Sequence, residues 1–242
     1  MIEFYFYKGE IGIVTKCILK VANDYFLRIT IDVNGHPKVI QIEIPEAAAL
    51  ALKNSGVPDC CTPSTQIFSN TTSIVGPVTG AAGIANPYPS SIVVNGMSGV
   101  ISKITVTLKN INSTFPDDIG VLLVGPQGQT LILMSDVGGE GDMTNITLTL
   151  DDAAVNPLLE NDPVISGTFK PANYTDLIGD DNWPSPAPVP PYGDPALGQG
   201  LNVFNGTDPN GIWNLYVVDD AKDDINSITA GWELTITTSC SE

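Results

Sequence analysis

The chain is short of several things at once. In 242 positions it has one histidine, four cysteines and ten basic residues against 27 acidic ones, a formal net charge of −17. Nucleic-acid binding needs Lys and Arg to neutralise phosphates, so nucleic acid is excluded as a partner. Anionic lipid is excluded on the same ground. A lone histidine, His36, cannot build a histidine-rich zinc site, and any Ser-His-Asp triad would have to use it. It follows a turn sequence and reads as exposed and passive. No apolar run reaches eighteen residues, so no membrane span is expected. At the N-terminus, MIEFYFYKGEIG, Glu3, Lys8 and Glu10 interrupt any apolar stretch. No standard signal peptide is read there, and a chain starting at Met1 is expected to be unprocessed and tied down at that end.

What is present is unevenly spread. Residues 1–59 hold seven acids and six bases, whereas residues 60–242 hold twenty acids, four bases and no arginine. The texture changes at the same place, from Ile, Lys and Tyr to Gly, Pro, Asn, Asp, Thr and Val. Gly56, Pro58 and Pro63 punctuate the step. The sequence therefore divides into a small β-rich module, 1–57, a junction, 58–63, and a larger domain, 64–242.

In the module, Ile11, Ile13, Thr15, Cys17, Leu19 and Val21 share one face of a strand. Two further runs, 25–33 and 39–44, flank Asn34-Gly35, the strongest short hairpin signal. Pro45 and Glu46 open a short helix that Gly56 can stop. A β-meander with one helix and fewer than sixty residues has a thin core. Such a module packs on the second domain or docks on another chain.

From residue 64 onward short alternating strands recur: 101–108, 119–125, 130–136, 145–150, 212–220 and 231–238. Gly, Pro, Asp and Asn separate them, which predicts a mainly β fold, an antiparallel β-sandwich. Trp213 and Trp232 fall on apolar faces and read as core. A proline-rich stretch, 179–200, is excluded from any ladder and takes an extended path.

The run FNGTDPNGIWNLYVVDDAKDDINSITAGWELTITT (204–238) resembles the closing half of the P domain of proprotein convertases, in its bacterial branch. ITVTLKNINSTFPDDIGVLLVGPQGQTLILMSDVGG (104–139) is similar to the opening half, and TLDDAA (149–154) and SGTFKP (166–171) match as well. The resemblance covers about residues 64–238 and implies a jelly-roll β-sandwich. Asp118 and Asp219 match the family's typical acids. The family places glycines after its paired Asp where this chain has Asp223 and Asn226, the residue types next most tolerant of left-handed backbone. The subtilisin-like catalytic domain that accompanies the P domain in convertases is missing, so the resemblance implies a non-catalytic module.

Acids cluster at the expected strand ends. Oxygen ligands grouped this way suit Ca²⁺, with Asp118, Asp136, Asp151 and Asp220 as the candidate ligands, although no EF-hand spacing is present. The competing reading is that these residues cap turns. The cysteines are Cys17, Cys60, Cys61 and Cys240. A bond from Cys60 or Cys61 to Cys240 leaves the other junction cysteine for Cys17 or for a neighbouring subunit. Cysteines at module edges favour an oxidising, extracellular or cell-surface setting. The first functional expectation is a structural protein, a homo-oligomer forming a filament or appendage through its N-terminal module. The second is an accessory module acting with a secreted protease or surface ligand. A third is a calcium-dependent adhesin or carbohydrate binder, with Tyr88, Trp183 and Tyr192 as an exposed glycan platform.

Overall fold

The computed structural model describes residues 2–7, 10–21, 23–33, 35–58, 60–77, 81–174 and 183–240. Met1, Asn34, Asp180 and Asp181 lie outside the described residues. The chain forms two compact units, Met1–Thr62 and Pro63–Glu242.

The first unit is a four-stranded antiparallel meander. Its strands are β1 (Ile2–Tyr7), β2 (Glu10–Val21), β3 (Asp24–Val33) and β4 (His36–Ile44), and they lie in sequence order across the sheet. Opposed pairs Tyr7 and Glu10, Val21 and Asp24, and Val33 and His36 leave two residues for each connection. Gly35 takes the positive φ, +80°, that such a tight hairpin needs. Helix α1 (Glu46–Asn54) packs on β2 and β3, where Ile18 and Ala49 are buried. It ends where the N–H groups of Gly56 and Val57 return to the carbonyls of Lys53 and Leu52.

The second unit is the β-sandwich. Its strands are β5 (Thr65–Asn70), β6 (Ile74–Val75), β7 (Gly83–Ile84), β8 (Ser90–Val94), β9 (Val100–Ser113), β10 (Ile119–Val124), β11 (Thr130–Ser135), β12 (Met143–Leu150), β13 (Gly167–Phe169), β14 (Ala172–Asn173), β15 (Gly211–Asp219), β16 (Asn226–Ile228) and β17 (Trp232–Ser239). One sheet runs β14-β11-β10-β15, with β7 and β8 both pairing on β15. The other runs β13-β12-β9-β16-β6, and β17 joins β9 to β5. The pairing is antiparallel except for β11 with β14 and β12 with β13. β9 is long enough to serve two partners on one edge, while β12 takes the other. Its first half pairs with β17 and its last residues with β16.

Alternation puts Trp213 and Leu215 on one inner face and Trp232 and Leu234 on the other, and all four are fully buried with Val106, Leu123 and Leu148. The Trp213 indole donates to Pro209 O at 2.9 Å and the Trp232 indole to Ser90 Oγ at 3.0 Å, so neither core Trp leaves an unpaired N–H. A second, smaller core lies on the outer face of the first sheet. There Leu122, Val124, Ile132, Tyr216 and Val218 are covered by Trp183, with Tyr88, Ala187 and Tyr192 at its margin.

The cover is the described part of the proline-rich segment, 183–200, which stays outside the ladders but is not extended throughout: Ala187 N closes a turn on Pro184 O at 3.1 Å, and Pro195–Leu197 form a 3-10 turn. Three tyrosine hydroxyls fasten it. Tyr88, Tyr216 and Tyr192 donate to the carbonyls of Pro184, Pro186 and Pro188 at 2.9, 3.1 and 2.9 Å. At its end Gly193 O accepts from Ile132 N at 2.9 Å, and Gly193 N donates to Thr130 Oγ1 at 3.1 Å.

Candidate functional site

The four candidate calcium ligands fall in three places. Asp118 closes a short 3-10 turn before β10, and Asp220 follows the end of β15. Because Ile119 pairs with Asp219, these acids share one end of the sheet, and Asp220 N donates to Asp118 O at 3.1 Å. Asp118 is 9% exposed. Its carboxyl is pushed up to about 7, first by burial and then by Asp220, Asp219, Asp224 and Asp117.

Asp219, at 2% exposed, is the most enclosed acid of this end. Its Oδ2 accepts from Asn226 Nδ2 at 2.7 Å, a bond that runs from one sheet to the other, while Oδ1 is buried with no partner among the described residues. Burial, assisted by Asp220 and Asp224, pushes its carboxyl up to about 6 against the opposing hydrogen bonds from Ala221 and Asn226. Asp223 adopts φ +76°, a left-handed backbone that Asp tolerates better than most residues. Asn226 instead stands in β16.

Asp136 lies at the same end of the first sheet, on the other side of β10 from Asp219, whereas Asp151 lies on the second sheet. Asp136 follows β11 with φ +52° and accepts from Ser135 Oγ at 2.8 Å. Asp151 follows β12, accepts from Ala153 N at 2.9 Å and pairs with Lys103 Nζ at 2.8 Å. Burial pulls its carboxyl upward, but the Lys103 and Ala153 hydrogen bonds and the Lys103 charge together hold it below the usual range. Among the described residues no three His, Cys, Asp or Glu side chains converge on a position that could hold a metal ion.

One further expectation changes and one is narrowed. Trp183, within the proline-rich segment, is turned onto the sheet face and only 3% exposed, so it is not a platform for a glycan. Its ring meets Tyr192 edge-on at 5.3 Å, and Tyr88 meets Tyr216 in the same way at 4.9 Å. The signal for this burial is the run IGVLLV. β10 is apolar on both faces, and a strand of that kind is covered on both. Of the cysteine pairings left open, Cys17 is bonded to Cys60, with Cα atoms 4.8 Å apart, and not free for another subunit. Cys60 is therefore unavailable to Cys240. Cys61 and Cys240 are oxidised too.

The surface with the clearest capacity to act lies on the module. Ile18 N donates to Pro58 O and Cys60 N donates to Ile18 O, both at 2.8 Å. Together with the Cys17–Cys60 bond, these fasten the chain to the edge of β2 just beyond the stretch paired with β1. At the far side of the sheet β4 pairs with β3 alone among the described residues. All eight of its residues from His36 to Glu43 are exposed. Val39, Ile40 and Ile42 show 49, 47 and 47% of their surface to solvent, so neither face of this strand is covered.

Pro37 opposes Asp32 and Val33 opposes His36. After a two-residue hairpin the closing pair is hydrogen-bonded and pairs then alternate, so Pro37, Val39, Gln41 and Glu43 turn their backbone groups away from β3. Proline at an outward position costs the sheet nothing. The outer edge thus presents three N–H groups and four carbonyls, with no charged side chain between Lys38 and Glu43.

No family model matches the chain, and no curated protein matches it.

Proposed function

We propose that this chain is a non-catalytic extracellular structural protein that assembles with copies of itself through the N-terminal module, each sandwich forming the body of a subunit. The observation that carries this reading is β4, a nine-residue, β-branched edge strand with both faces in solvent. Folded proteins blunt such an edge with charge, bulges or a cover, because an unpaired ladder recruits other chains. Lys38 and Glu43 bracket this edge but leave Val39-Ile40-Gln41-Ile42 open. The disulfides favour an oxidising compartment. In this reading the sandwich is a P-domain-like body whose acidity keeps the assembly soluble.

Negative-stain microscopy of the full chain tests the proposal, run with and without reductant and with and without EDTA. Filaments or rings that persist on dilution are the expected result. Loss of assembly on chelation would assign a divalent ion a part in it. A monodisperse 25 kDa particle in every condition would overturn the reading and leave the accessory-module alternative.

A further inference from the structure

We propose that copies join head to tail, the outer edge of β4 in one module pairing antiparallel with the outer edge of β1 in the next, so that the modules form one continuous sheet. This inference rests on the assembly reading and adds which edges meet and in what sense. Its first support is the parity of the meander. With four strands in sequence order, β1 and β4 run in opposite directions. A second copy in the same orientation therefore brings its β1 beside β4 antiparallel, and the alternation continues without a break. Pairing β4 with β4 requires a two-fold axis and closes after two copies, whereas the unlike edges leave a free β1 at one end and a free β4 at the other.

Backbone groups match across this junction. Counting from the closing pair Tyr7 and Glu10, Ile2, Phe4 and Phe6 turn their N–H and carbonyl groups away from β2. Ile18 of β2 falls on the positions directed to that side, and its N–H and carbonyl do bond there, to Pro58 and Cys60. The same count gives β4 three outward N–H groups, at Val39, Gln41 and Glu43. Each edge then offers three donors to the other, which is the mode of strand addition.

Charge names the occupant. Residues 60–242 carry twenty acids and four bases, whereas residues 1–59 carry seven and six. The sandwich of a second copy is repelled by another sandwich, and a nearly neutral module is the part of the chain that can approach its own kind.

Two outward prolines test the arrangement in the full-length, oxidised chain. Gln41→Pro blocks β4 and Phe4→Pro blocks β1, and neither removes a hydrogen bond within the meander. Ile42→Lys blocks β4 a second way, through charge. Circular dichroism and the absence of free thiols report that each variant is folded. Sedimentation should find each variant monomeric alone, while an equimolar mixture of Gln41→Pro and Phe4→Pro forms dimers and stops, since one good β4 then meets one good β1.

Assembly of Gln41→Pro and Ile42→Lys like the unmodified chain would overturn the inference and leave self-assembly standing. Dimers of Phe4→Pro alone, with nothing new on mixing, would replace it with the two-fold β4 pair. An unmodified chain that stays monomeric throughout removes the assembly reading, and this one with it.

Discussion

Asp118 and Asp219 are buried carboxyls raised to about 7 and about 6, first by burial and then by neighbouring acids, Asp220 and Asp224 in both cases. Their pH dependence has a definite sign. A carboxyl whose folded pKa lies above its unfolded value near 3.8 favours the folded state most when protonated. That contribution is present below about pH 4 and is lost as pH rises through about 6 to 7. Asp118→Asn removes the charge that must be buried at higher pH. The expected outcome is a gain on the order of 1–2 kcal/mol at pH 8 and almost none at pH 4, measured by urea unfolding at the two pH values. A gain equal at both would mean that the Asp118 charge is not the cause. At Gly231, φ is +70° and a Cβ would collide with the backbone carbonyl of Asn70 in β5. Gly231→Ala should therefore cost about 3 kcal/mol or more, read from the denaturant midpoint. The sequence marks Asp118 and Asp219 as acids at strand ends, but their meeting depends on Ile119 pairing with Asp219, a register that no local pattern specifies.

At the scale of elements, the proline-rich segment behaves as a strap over an apolar sheet face. Trp183→Ala opens a cavity beneath it and should cost about 3–5 kcal/mol. Trp183→Phe keeps the ring packing and removes an indole N–H that is buried without a partner among the described residues, so it should fall within about 1 kcal/mol of the unmodified protein. Equal losses for both variants, followed by thermal unfolding, would contradict the strap. The alternating strands, the Asn-Gly hairpin and α1 are legible because period, turn chemistry and capping are local signals. The strap is not, because its cover is remote in sequence: Leu122 and Ile132 meet Trp183 only after the sheet has formed. What the sequence does contain is the demand for a cover, written in the two apolar faces of β10. The very short strands β6, β7, β14 and β16 carry no period at all; β16 is held by β9 and β6, and Asn226 within it by Asp219. Within the module, the Cys17–Cys60 bond spans 43 residues, about two-thirds of the unit Met1–Thr62. Loop-closure entropy gives it about 4 kcal/mol, and a core this small has little to replace it. Reduction should lower the module's unfolding midpoint well before the sandwich is affected, visible as two transitions where the oxidised protein has its module protected.

For the whole molecule, the governing fact is the separation of charge from the open sheet edge. The acids sit in a sandwich whose apolar groups are mostly consumed by two cores, and the open ladder sits in a unit with almost no net charge. In the assembly we propose, association has two opposing terms of different range. Strand pairing acts at contact and is nearly indifferent to salt, because it consists of backbone hydrogen bonds and burial of Val39, Ile40 and Ile42. Repulsion between sandwiches is long-ranged, about 30 Å at 0.01 M salt and about 8 Å at 0.15 M. Raising NaCl from 0.01 to 0.15 M should accordingly lengthen the assemblies, and light scattering at fixed protein concentration should rise. Gln41→Pro should show no such rise, since screening without an edge gives nothing to join. Dissolution by salt would mean that ion pairs hold the copies together, and the edge strand would then be a bystander to the contact.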